Sequence, residues 1–139
     1  MPYFGDGSNL SNIGSLVPQV KEASSSGVSQ TSSTSFQNKV TLSMTGVDAN
    51  SNIFLFYRFE HQVTAGSNNR QVFTQVTGPS LQGGTQTHST TGSYVGVSDF
   101  LLDTSSNTSR TFTIDFRKGN GSQAYIRNAI LFAVELKVS

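Results

Sequence analysis

The side chains of this chain that could carry acid–base or metal chemistry are few: His61, His88, and the aspartates Asp99, Asp103 and Asp115 of its second half. A histidine metal site needs a second ligand at a fixed short spacing, as in H-x-H or H-E-x-x-H, so that both side chains reach one ion. Neither histidine has such a neighbour, and each sits among polar residues, so both are expected as ordinary surface side chains. Paired carboxylates work as acid and base only when they face each other across a cleft. Asp99 and Asp103 flank the end of one strand and Asp115 lies mid-strand on an outward face, so structural or solvated roles are expected. Asp48-Ala49-Asn50-Ser51-Asn52 opens like a calcium loop. Ile53 stands where that loop needs glycine, and Phe59 where it needs its final acid, so a plain turn is expected.

The nucleophile motifs fare no better. Cysteine is absent, which excludes disulfides and thiolate sites. Neither G-x-S-x-G nor the phosphate-binding G-x-x-x-x-G-K-[ST] occurs. Serines are so many that a Ser/His/Asp set drawn from them carries no weight. Asn9, Asn107 and Asn120 begin N-x-[ST] sequons, which matter only in a secretory compartment. The expectation is a protein that is not an enzyme and takes no cofactor or metal.

Composition points the same way. Only 12% of the 139 residues are charged and 35% are apolar, the remainder being dominated by Ser, Thr, Asn, Gln and Gly. Such side chains suit strand exteriors and turns. The net charge of +1 comes from scattered basic residues, with only Arg117 and Lys118 adjacent, so no phosphate-binding footprint and no nucleic-acid partner is expected. The longest apolar run, Ala129 to Val134, is far short of a membrane helix. Absence of cysteine and of a basic, apolar leader at Met1-Pro2-Tyr3-Phe4 is read as synthesis in a reducing cytoplasm, with no membrane partner.

Two regions differ along the chain. Residues 1–34 are Ser-rich, with isolated apolar side chains, and are read as an extended N-terminal arm in which Leu10 to Leu16 could form one helical turn. From residue 35 to 139 the apolar period is two, the signature of strands. Val40, Leu42 and Met44 share a face with Phe36; Ile53, Leu55, Tyr57 and Phe59 share another. Val72, Thr74 and Val76 alternate with Phe73 and Gln75, and an edge strand is expected near Gln86 to Thr90. Tyr94 to Leu102 follows, with Gly96 a bulge or close approach. Phe112, Ile114 and Phe116 point inward from the next strand. Lys118-Gly119-Asn120-Gly121 reads as a hairpin. The last strand places Ala124, Ile126, Ile130, Phe132, Val134 and Leu136 on one face. Six or seven antiparallel strands require a second layer, hence an all-β sandwich or barrel.

Two strands are apolar on both faces, at Phe54 and Phe56 and again at Ala129, Leu131 and Ala133. An antiparallel sheet in a monomer usually leaves one face polar. Either the arm or a loop covers the second face, or another subunit does.

The segments Ser93-Tyr94-Val95-Gly96-Val97, Arg110 to Arg117, and Ala124 to Leu136 resemble a module of bacteriophage structural proteins. It is the trimeric jelly roll of capsid decoration (cement) proteins and tail-fibre tips, similar in outline to tumour-necrosis-factor and C1q folds. The resemblance covers about residues 35–139. It implies an antiparallel, jelly-roll-like β-sandwich acting on the capsid surface of a virion as a homotrimer bound to the major capsid protein. In such a module Phe54, Phe56, Leu131 and Phe132 are expected to serve core and subunit packing. The arm, which lies outside the resemblance, would be the natural segment to grip the capsid through Tyr3, Phe4, Leu10, Ile13, Leu16 and Val17. A receptor- or glycan-binding tail-fibre tip is the alternative, although the loops 78–92 and 103–109 hold no aromatic residue.

Overall fold

A computed structural model describes residues 18–64, 70–81, 85–88, 92–121 and 123–138. They form two antiparallel sheets packed face to face. The strands are β1 (Val20–Ser25), β2 (Ser29–Thr31), β3 (Gln37–Met44), β4 (Ser51–Thr64), β5 (Val72–Thr77), β6 (Thr85–His88), β7 (Val95–Asp103), β8 (Arg110–Lys118) and β9 (Gln123–Lys137). The first sheet has the order β1-β9-β4-β7, with β2 also on β9, and the second β3-β8-β5-β6.

The pairing is nested. β1 and β2 together run beside β9, β3 beside β8, β4 beside β7, and β5 beside β6. If β1 and β2 are counted as one interrupted strand, the chain is a single long hairpin of eight strands rolled up so that its legs alternate between two sheets. That is the jelly roll. The fold class expected from the sequence is therefore the fold observed.

Period two explains the core. Ile53, Leu55, Tyr57 and Phe59 from β4 meet Val40, Leu42 and Met44 from β3, and Phe112, Ile114 and Phe116 from β8, all buried between the sheets. Val72 and Val76 add the β5 contribution.

Four local expectations change. The Ser-rich segment contributes strands: Val20↔Val134 to Ser25↔Ala129, then Ser29↔Ile126 to Thr31↔Ala124, form the edge of the first sheet. Residues 20–31 thus belong to the sandwich, and the boundary at 34/35 separates no arm from it among the described residues. Lys118 to Gly121 joins strands of different sheets, so it is a crossing and not a hairpin. There the backbone of Gly119 lies against the Phe73 ring, leaving no room for a Cβ, and Gly121 takes a φ of 127°. Gly96 pairs in regular register with Glu60, with nothing crowding it, and is neither bulge nor close approach. A bulge lies instead between Asn38 and Val40, which turns Phe36 outward onto Arg117, its ring 5.0 Å from the guanidinium.

The fourth change decides the surface. On β9, Arg58↔Ile130 is followed by Glu60↔Arg127, so two β9 residues stand opposite one on β4. Asn128, at a φ of 50°, is the bulged position. Ala124 and Ile126 point inward before it; Ala129, Leu131 and Ala133 point inward after it. Ile130, Phe132, Val134 and Leu136 are thereby turned to the outer face, the reverse of the expected assignment. The turns expected at Ala65 to Asn69 and the helical turn at Leu10 to Leu16 lie outside the described residues.

Candidate functional site: the outer face of the first sheet

The two outer faces differ in kind. On the second sheet the outward residues are mostly polar, Thr, Ser, Gln, Asp, Asn and Lys, many tied to each other, with Phe36 and Phe73 covered by Arg117. Thr77 and Thr113 hydroxyls lie 2.6 Å apart, Thr113 donates to Asp115 at 2.6 Å, and the Asn38 amide donates to the same carboxylate at 3.0 Å. Arg117 lies over Phe73, 4.0 Å from its centroid. This is a solvated sheet surface of the usual kind.

On the first sheet two outward rows are apolar across all four strands but for Glu22. Cross-strand register places Val20, Val134, Phe54 and Leu102 in one row, and Glu22, Phe132, Phe56 and Phe100 in the next. Ser24, Ile130, Arg58 and Ser98 form the third. Phe54 and Phe100 rings stack with centroids 5.1 Å apart. Phe100 is 59% exposed, Val20 53%, Leu102 49% and Phe56 38%. Scattered exposed apolar residues need no explanation, but a contiguous patch of this kind marks a contact surface.

The third row ends the apolar patch. Ser24, Ser26, Arg58, Asn128, Ala129 and Ile130 line a cavity of ≈ 270 Å³. The bulge lies at it, where the Asn128 N–H donates to the Ser26 carbonyl at 3.2 Å between the β1 and β2 pairings. Glu60 holds that bulge: it accepts hydrogen bonds from Arg127 Nε at 2.6 Å and from the Asn128 amide at 2.9 Å. These bonds hold its carboxyl below the ordinary 4.5, the Arg127 bond most of all. Arg127 also stacks on Tyr94, 3.8 Å from the ring centroid. Arg58 makes no ion-pair contact among the described residues, but its charge lies close enough to Glu60 to lower that carboxyl further. Glu22 at the other side of the patch makes no ion-pair contact among them either.

The residues singled out in the sequence divide as follows. Phe54, Phe56 and Phe132 do lie together on the outer face, in neighbouring strands. Leu131 does not: the bulge puts it in the core at 0% exposure, and its place outside is taken by Ile130, Phe132 and Val134. Tyr3, Phe4, Leu10, Ile13, Leu16 and Val17 lie outside the described residues. Val20, Phe100 and Leu102 belong to the patch and were missed. For Phe100 and Leu102 the signal was present in the three consecutive apolar residues Phe100-Leu101-Leu102 before Asp103, which give β7 two apolar faces.

The chemically suggestive residues take structural places. His61 is fully buried, not on the surface; its Nδ1 lies 2.7 Å from the Thr74 hydroxyl and its ring meets Phe59 edge-on at 5.0 Å. The His88 side chain lies outside the described residues. Asp103 is buried and paired with Arg110 at 3.3 Å, with both side chains at 0% exposure. Asp99 accepts a hydrogen bond from the Phe100 N–H at 2.8 Å. The Asp48 segment is a turn, in which the Asn50 N–H donates to the Asp48 carboxylate at 2.9 Å. Among the described residues no three of His, Cys, Asp and Glu gather as a metal would require. What the assembled surface can do is bury apolar area between Arg58 on one side and Glu22 on the other.

No protein-family model and no curated protein sequence matches this chain. Among solved structures, a chain of the "Structure of infectious bursal disease virus Gt strain" is similar to 87% of this chain at 14% identity, with a TM-score of 0.44. This chain spans about a third of that one, 36% of its length.

Proposed function

We propose that this chain is a structural, non-enzymatic component of a virion that decorates a bacteriophage capsid as a homo-oligomer. In this reading it stabilises the shell by binding the major capsid protein across joints between subunits. The observation that supports this most is the asymmetry of the jelly roll, solvated on one sheet and bare on the other. A small-molecule enzyme needs a concave site with converging polar groups. A flat apolar face bordered by charge suits a lasting contact between folded surfaces. Cementing multiplies such contacts over many equivalent joints, so each can be modest while the shell gains through avidity. The phage-module resemblance of residues 93–97, 110–117 and 124–136 supplies the capsid context.

In this reading residues 1–17, carrying Tyr3, Phe4, Leu10, Ile13, Leu16 and Val17, grip the capsid. They lead into β1, at the edge of the first sheet. An extended segment of this kind binds through main-chain hydrogen bonds and a few apolar anchors, which tolerates many serines. The test is co-sedimentation of the purified chain, with and without residues 1–17, with shells assembled from the major capsid protein of its virus. The full chain should sediment with shells at fixed stoichiometry and raise their melting temperature, and the truncated chain should do neither. Undiminished binding by the truncated chain sinks the role of the arm. Failure of the full chain to bind sinks decoration itself.

A further inference from the structure

We infer that the outer face of the first sheet docks a second copy of this chain, face to face about a two-fold axis, with Glu22 of each copy entering the Arg58 cavity of the other. This contact deepens the self-association in the proposed function and names its surface, partner and symmetry.

The argument starts from spacing. Strands lie ~4.8 Å apart and same-face neighbours along a strand ~6.8 Å apart. Glu22 lies on β1 and Arg58 on β4, two strands over and one same-face position along, with Phe132 and Phe56 between them. Their separation on this grid is about 12 Å. Both are charged, both face outward beside the apolar rows, and neither makes a direct ion-pair contact among the described residues, Arg58 having only the more distant charge of Glu60, itself bonded to Arg127. An isologous contact repeats every pairing twice, so a two-fold axis that brings Glu22 over Arg58 also brings Arg58 over Glu22. On the grid there is one such in-plane axis, inclined at about 35° to the strands. It runs through the aromatic centre, laying Phe132 over Phe56 of the second copy and Phe100 over its Val134. The strands of the two copies then cross at about 70°, near the orthogonal mode of sheet packing.

The cavity fits its guest. Arg58 supplies the cation, Ser24 and Ser26 supply hydroxyl donors, and Ile130 takes the methylenes of a glutamate. Four strands by three outward rows project to roughly 400 Å², which side-chain relief raises towards the ~600 Å² per partner at the small end of specific interfaces. A flat face closed on its own copy leaves no apolar row for a third chain. The two-fold pair and the homotrimer that the phage-module resemblance implies are thus alternatives that native mass separates.

Native mass by light scattering, combined with sedimentation equilibrium, tests this on the full chain. The expected result is twice 14.9 kDa. Glu22→Arg and Arg58→Glu should each weaken the dimer about tenfold or more, and the double exchange should restore it to within about threefold. A chain monomeric at about 100 µM, a trimer, or a double exchange that fails to restore association would each overturn the contact. If a charge variant does not fold, Phe100→Ser reads the same face. It should yield a folded monomer, and an undisturbed dimer would overturn the proposal. A dimer that ignores capsids refutes decoration alone, whereas a capsid-binding monomer or trimer refutes the two-fold contact alone.

Discussion

Arg110 lies wholly inside the sandwich at one end of the core, where a cation survives only if all its donors are used. Its Nη2 reaches the Ser51 carbonyl at 2.7 Å and its Nε the Asn107 carbonyl at 2.8 Å, while Nη1 faces Asp103 at 3.3 Å. Asp103 in turn gathers the loops around it, accepting from the Ser80 N–H and hydroxyl and from Ser105. The pair thus ties the β3–β4 turn, the loop after β5 and the loop after β7 to one point. Truncating Arg110 to Ala leaves a buried carboxylate and several carbonyls unpaired, which should cost about 3–5 kcal/mol. Lysine cannot replace it, lacking the planar fork that reaches three carbonyl directions at once. Urea unfolding of Arg110→Ala and Arg110→Lys checks both. A loss below about 1 kcal/mol in the alanine variant would mean that the pair stabilises little beyond its surroundings. Nothing in the sequence distinguished Arg110 from the other basic residues, because its role depends on three loops that only the fold brings together.

At the scale of the element, the β9 bulge decides which half of a strand is core and which is surface. Period two was legible wherever the pairing is regular, as at Ile53-Leu55-Tyr57-Phe59 and Phe112-Ile114-Phe116. It failed beyond Asn128, where one extra residue exchanges the faces, and at Phe36, beyond the Asn38 bulge. β1 and β2 escaped notice for another reason: an edge strand with serines outward has no apolar alternation to read, and its partner lies more than a hundred residues away. The doubly apolar strands were still a sound signal of an apolar outer face, because they do not depend on which face is inner. Glu60 holds the bulge through Arg127 and Asn128, and its carboxyl titrates below 4.5 in the folded chain. A carboxyl with a lowered folded pKa stabilises while ionised, so its contribution is complete above the unfolded value and is lost as pH falls through the folded one. The stability difference between the native chain and Glu60→Gln should therefore be constant from neutral pH down to about 5 and shrink below 4.5. Denaturant midpoints across that range provide the measurement. A difference that grows on acidification would contradict the role of the ionised carboxylate.

For the whole molecule, the nested pairing makes the two ends of the chain neighbours: Val20 pairs with Val134 at the outer leg of the rolled hairpin. The roll has four edges, β1 and β7 on one sheet and β3 and β6 on the other. Along the β1–β3 side they are fastened, since Lys39 donates to the Gly27 carbonyl at 2.6 Å and to the Ser29 hydroxyl at 2.9 Å, and the Lys118 N–H to the Ser33 carbonyl at 3.0 Å. Removing β1 and β2 would therefore unfasten this side and uncover β9 along its length, a long apolar strand whose bare edge invites pairing with other chains. Removing only residues 1–17 touches none of these bonds. The two truncations should then behave in opposite ways. The chain lacking 1–17 should melt cooperatively within a few degrees of the full chain, a shift of less than about 1 kcal/mol for a domain of this size. The chain lacking 1–31 should lose its sharp transition and aggregate. Calorimetry with parallel light scattering reads both. A well-folded, monodisperse 32–139 fragment would show that the seven remaining strands close without the first leg. The capsid-gripping segment would then have to be sought across all of residues 1–31.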